Sequence, residues 1–226
     1  VNSSSETIYL GDNASGTQAV DGILDEIRLS TTTRSVEWLS MSYQNQKQGS
    51  QIVSFGLQTD PQRLSYSHLI QFNTTASGYD ITTDVTNFPY LVKLNADNFT
   101  FSQARSDGKD LLFQDPDGST LYHELVEWDA GNDTALIWVK VPQIDGNSTA
   151  DFIQMQWGCA ECSSNPWDKS DSVWSEYVGV WHFNKFQNTH EDATGNGLTA
   201  TFSQSFPFNT GKNYGFAPQL TGTDQN

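Results

Sequence analysis

Leu121-Tyr-His-Glu-Leu-Val-Glu-Trp128 and Ala135-Leu-Ile-Trp-Val-Lys-Val141, separated by Ala130-Gly-Asn132, form the stretch that decides the fold. Aromatic and β-branched residues dominate both runs, apolar and polar positions partly alternate, and the Gly-Asn interruption suits a tight turn. The same texture recurs on either side. Thr7-Ile-Tyr-Leu10, Tyr90-Leu-Val-Lys-Leu94, Leu111-Leu-Phe113 and Asp151-Phe-Ile-Gln-Met-Gln-Trp157 read as strands. Ser106-Asp-Gly108, Asp115-Pro-Asp-Gly118 and Asp145-Gly-Asn147 supply the positive-φ and fixed-φ positions that turns require. Short strands at this spacing predict an all-β protein, an antiparallel β-sandwich of jelly-roll type.

Little helix is expected. Ser35 to Tyr43 places Val36, Leu39 and Tyr43 at helical spacing, with Ser35 or Thr33 as cap, and a second helical turn is expected between Asp97 and Arg105.

The chain has 226 residues, with seven Trp, eight Tyr and thirteen Phe, enough for substantial cores. Asp and Glu outnumber Lys and Arg by 27 to 11, a formal charge of -16. A field of that sign repels phosphate backbones and anionic lipid, which argues against nucleic acid and membrane-surface partners. No apolar run approaches the length of a membrane span.

No catalytic motif converges. His68, His123, His182 and His190 are present, but there is no Gly-x-Ser-x-Gly elbow, His-Glu-x-x-His helix or phosphate-cradling loop. Glu124 and Glu127 resemble the paired carboxylates of a glycosidase, yet residues three apart in a regular strand face opposite sides, so both are expected to be solvated. His123 is expected to pack or hydrogen-bond. The chain is therefore read as a non-enzyme.

Cys159 and Cys162 are the only cysteines. One Cys-x-x-Cys is half a zinc site, and a thioredoxin-type site needs a helix start that this context lacks. A local disulfide in an oxidising compartment is expected, with two free thiols as the alternative. Asn-x-Ser/Thr triplets at Asn2, Asn13, Asn73, Asn98, Asn132 and Asn147 are candidate glycosylation sites. Trp167 and Trp174, outside any expected strand, are candidates for stacking on glycans or for stapling neighbouring domains.

Asp21-Gly-Ile-Leu-Asp-Glu-Ile-Arg-Leu29, followed by Arg34-Ser-Val-Glu-Trp-Leu39 and Tyr43 to Gly56, resembles the C-terminal end of a laminin-G-like, concanavalin A-type domain. Gly179-Val-Trp-His-Phe-Asn184 with Asp192-Ala-Thr-Gly-Asn-Gly197 resembles the start of another. Between them, Phe88-Pro-Tyr-Leu-Val-Lys-Leu94, Ala104 to Phe113, His123 to Trp128, Ile137 to Pro142 and Met155-Gln-Trp-Gly158 resemble a domain family of unknown function. That family accompanies laminin-G-like domains in prokaryotic surface proteins and some ExbB/TolQ-like biopolymer-transport proteins.

The resemblance implies four regions: residues 1–58, the end of a laminin-G-like domain; 59–165, a β-sandwich domain of unknown function; 166–177, a linker; and 178–226, the start of a second laminin-G-like domain. It also implies a structural calcium ion, with Asp25 the first candidate ligand and Asp21 and Asp192 further ones. Two partial domains around a complete one suggest a piece of a longer array, or a subunit completed head to tail by copies of itself. The expected role is an extracellular or cell-surface scaffold, adhesin or filament subunit, whose partners are itself or neighbouring domains. A carbohydrate-binding lectin-like module and the extracytoplasmic part of a biopolymer-transport protein are the alternatives.

Overall fold

The computed structural model describes residues 22–23, 26–47, 53–55, 64–159, 162, 165–185, 187–201, 208–209 and 217–220. Its strands are β1 (Gly22–Ile23), β2 (Ile27–Ser30), β3 (Val53–Phe55), β4 (Tyr66–Phe72), β5 (Val85–Asn95), β6 (Leu112–Gln114) and β7 (His123–Asp129). They continue with β8 (Thr134–Ile144), β9 (Phe152–Trp157), β10 (Tyr177–Trp181), β11 (Thr189–His190), β12 (Ala200–Thr201), β13 (Phe208–Asn209) and β14 (Ala217–Leu220). The α-helices are α1 (Val36–Gln46) and α2 (Ser170–Val173). A single 3-10 turn at Phe101–Gln103 stands where the second helical turn was expected.

Two antiparallel sheets make the sandwich, one in the order β3-β4-β9-β6 and the other β5-β8-β7. In β9, Ile153, Met155 and Trp157 are buried while the intervening residues are half-buried, the alternation of a sheet with one covered face. Tyr90 and Val139 are register partners on β5 and β8, and the Tyr90 ring meets Phe72 of β4 edge-on at 5.0 Å. Phe113 of β6 lies 5.1 Å from His123 of β7. These contacts define the inner core.

The three-stranded sheet has no such alternation: Pro89 to Val92 and Ile137 to Val139 are buried without a break. A strand buried continuously must be covered on both faces. The second cover is a third layer, the antiparallel pair β2-β10 together with α2 and Trp174. Trp138, which points away from the inner core, carries the Arg28 guanidinium 4.3 Å from its ring centre and Trp174 at 5.3 Å.

This third layer joins the two ends of the chain. Ser30, Leu29, Arg28 and Ile27 pair with Tyr177, Gly179, Val180 and Trp181, with a register shift between Tyr177 and Gly179. Gly22 and Ile23 pair with Leu220 and Gln219. The two segments expected to be halves of different domains therefore meet within one molecule. Residues 166–177, expected as a linker, are packed: Val173, Trp174 and Tyr177 are buried.

Groups from outside the three-stranded sheet bond to both of its edge strands, where free edges otherwise invite pairing with other chains. Trp167 to Lys169 runs along β7, with His123 N–H donating to Trp167 O at 2.9 Å and Lys169 N–H to His123 O at 2.7 Å. On β5, the Asn45 side chain stands in for a missing strand: its Oδ1 accepts from Leu91 N–H at 2.7 Å and its Nδ2 donates to Leu91 O at 3.2 Å.

Helix α1 begins as expected, with Ser35 Oγ accepting from Trp38 N–H at 3.1 Å. The residues whose spacing marked the helix are not the ones it buries. Trp38, Met41 and Asn45 are buried, whereas Val36, Leu39 and Tyr43 are 77%, 55% and 64% exposed. The cause is tertiary: Trp38 packs edge-on against Phe88 at 5.3 Å and Asn45 must reach Leu91, which fixes the rotation of the helix.

Candidate functional site

Glu26 and Arg28 sit two apart near the start of β2, so they share a face, and that face looks onto the sandwich. Glu124 on β7 is the register partner of Trp138 and therefore stands on the outer side of the three-stranded sheet. His182 follows β10. The four side chains converge in a buried clasp. His182 Nδ1 lies 3.1 Å from Glu26 Oε2 and its Nε2 3.0 Å from Glu124 Oε2. Arg28 Nε donates to Glu26 Oε1 at 3.1 Å, and Trp174 Nε1 donates to Glu124 Oε2 at 2.5 Å.

Burial alone would neutralise such groups. For His182, desolvation pushes the imidazole down, but the charges of Glu26 and Glu124 and their hydrogen bonds more than offset it and raise the pKa to about 10. Burial pushes Glu26 up, but His182 and Arg28 hold its carboxyl below the ordinary range. The clasp thus carries two positive and two negative charges that compensate one another. A second tie runs parallel to it: Arg34 pairs with Glu176 at 3.1 Å and lies 4.7 Å over the Trp38 ring.

Beside the clasp is a recess of about 260 Å³, lined by Glu124 and His182 on one side and by Asn184, Lys185, Gln187 and Glu191 on the other. Phe183 forms its wall, fully buried, edge-on to His190 at 4.9 Å and held at φ 52°. A bulky residue in the left-handed region is strained by roughly 1–3 kcal/mol and persists only where its surroundings enforce it.

Several expected sites take other roles. Glu124 and Glu127 do not face opposite sides: a register shift between Leu125 and Glu127 sets Glu127 against Leu136, two residues from the partner of Glu124 and on the same face. Glu124 is half-buried and engaged in the clasp rather than fully solvated. Trp174 is completely buried, so its indole offers no surface to a glycan. Trp167 is half-buried and leans on the exposed Tyr122 at 5.2 Å. His123 packs as expected, buried beside Phe113, with Nε2 3.3 Å from Asn165 Nδ2; burial lowers its pKa to about 4.

Asp192 ties a loop. Its Oδ1 accepts from Val180 N–H and Thr194 N–H, each at 3.0 Å, and its Oδ2 from the Thr194 hydroxyl at 2.6 Å. These bonds make the carboxylate a tie between β10 and the loop that follows it. Asp21 and Asp25 lie outside the described residues. Among the described residues, no group of three or more His, Cys, Asp or Glu side chains has metal-binding geometry. Cys159 and Cys162 form the expected disulfide, with their Cα atoms 5.4 Å apart. Asp110 Oδ2 accepts from the adjacent Gly158 and Cys159 amides at 2.9 and 3.1 Å.

Of the glycosylation candidates, Asn2 and Asn13 lie outside the described residues. Asn73, Asn98 and Asn132 donate their side-chain N–H to Ser77 Oγ, Lys93 O and Asp129 Oδ2. Asn147 is exposed, at φ 50° in a turn.

Sequence reasoning missed the clasp. Its signal is present: a Glu and an Arg at alternate positions of Glu26-Ile-Arg-Leu29, and a His inside Val178-Gly-Val-Trp-His-Phe183. What the sequence does not display is that these two runs are partners.

Residues 107–197 match the family described as Domain of unknown function (DUF2341). No curated protein and no solved structure matches the chain. The match fits the expectation of a domain of unknown function in the middle of the chain, but it is displaced toward the C-terminus relative to residues 59–165 and runs through the expected boundaries at 165 and 178. It contains Glu124, Trp138, Trp174, His182 and the recess, whereas Glu26 and Arg28 come from outside it.

Proposed function

We propose that the chain is an extracellular structural and interaction module of a surface protein, acting by domain contact as a scaffold, adhesin or filament subunit and not by catalysis. The clasp carries this reading. Both nitrogens of its histidine and both of its cations are engaged in holding β2 and β10 onto the sandwich. The disulfide supports an oxidising compartment. Because β2 and β10 pair within one chain, neighbouring segments of the same protein are the favoured partners. Head-to-tail assembly requires the β2 segment to be exchanged between copies.

Limited proteolysis together with glycoside turnover tests this. The intact chain should resist cleavage between Thr31 and Arg34, Glu124→Gln should expose that segment, and neither protein should hydrolyse a panel of chromogenic glycosides. Turnover by the wild type that disappears in Glu124→Gln would overturn the reading.

A second reading, a lectin-like carbohydrate-binding module, is favoured by the surface pair Tyr122 and Trp167, whose rings are available to a sugar face.

A further inference from the structure

The recess beside the clasp has hydrogen-bonding capacity that the clasp does not use. Glu124 Oε2 is taken by Trp174 Nε1 and His182 Nε2, while Oε1 accepts no hydrogen bond among the described residues. Glu124 lines the recess, so an acceptor oxygen is available there. Around the same space stand donors on Lys185, Asn184 and Gln187 and a second carboxylate on Glu191. The charges behind it are already balanced by His182 and Arg28, so the recess does not call for an ionic ligand. Groups that both donate and accept match such a lining, and hydroxyls do both. A volume of about 260 Å³ admits one ring rather than an extended chain.

We propose that this recess binds a single sugar ring or a polyol of that size, which donates a hydroxyl hydrogen bond to Glu124 Oε1. The proposal rests on the carbohydrate-binding reading but places the ligand away from Tyr122 and Trp167. It links occupancy to the seam between the sandwich and the segment after β10, because the same carboxylate holds Trp174 and His182.

The test is titration of the ¹⁵N-labelled intact chain with glucose, galactose, mannose and N-acetylglucosamine, each into the millimolar range, following the indole N–H resonances of Trp174 and Trp167. Binding in the recess should give a saturable shift at Trp174, because its N–H shares the Glu124 carboxylate. Gln187→Ala and Glu191→Ala, on the exposed rim and outside the clasp, should each weaken that response about three- to tenfold. A Trp174 shift unchanged in both variants overturns the proposal. A shift confined to Trp167 also overturns it while leaving the carbohydrate-binding reading standing. No saturable shift at either indole overturns both.

Discussion

His182 bridges two carboxylates that belong to stretches nearly a hundred residues apart, and its positive charge offsets the loss of water around them. Replacing it with glutamine leaves Glu26 facing Glu124 with one cation fewer. Removing one partner from a buried ionic group costs about 3–5 kcal/mol, so His182→Gln should lose stability on that scale in urea unfolding. The pH dependence follows from the same residues. The folded-state pKa of His182, about 10, lies above its unfolded value near 6.5, so its contribution is complete below about pH 6.5 and is lost as pH rises toward 10. Glu26 is depressed, so its contribution is present above the ordinary carboxylate range and fades as pH falls through its lowered pKa. His123, buried and lowered to about 4, weakens the fold as pH falls from about 6.5 toward 4, because only the unfolded state takes up its proton there. Denaturation midpoints across pH should therefore be highest near neutrality, and the alkaline decline should flatten in His182→Gln.

At the scale of elements, α1 illustrates what sequence pattern can and cannot reveal. Its existence and its Ser35 cap were legible, because capping chemistry is local. Its buried face was not, since Val36, Leu39 and Tyr43 make as good an apolar stripe as Trp38 and Met41, and only the exposed edge of β5 selects between them. Asn45→Leu should cost about 1–3 kcal/mol by leaving the Leu91 amide and carbonyl unpaired, whereas Leu39→Ser should change stability by no more than about 0.5 kcal/mol. Equal effects in thermal or urea unfolding would contradict this orientation. The bulge in β7 is a similar case: alternation assigned Glu127 to the wrong face because an inserted residue resets the period. The Cys159–Cys162 bridge was readable from spacing and context. It closes so short a loop that Cys159→Ser with Cys162→Ser should cost no more than about 2 kcal/mol and leave the sandwich assembled.

Over the whole molecule, the antiparallel sandwich was legible because strand composition and turn residues repeat along the chain. The pairing of its flanks was not. Two runs that each look like half of a domain contain no local information about whether their partner lies in the same chain, and Glu26, Arg28 and His182 acquire meaning only once β2 and β10 are side by side. The clasp makes that pairing a cooperative part of the fold. Native-state hydrogen exchange at neutral pH measures it most directly. If the account holds, the hydrogen-bonded amides of Ile27 to Ser30 exchange with a protection close to that of β8, and His182→Gln lowers the protection of β2 before that of the sandwich. Near-unprotected β2 amides in the wild type, with β8 still fully protected, would contradict it.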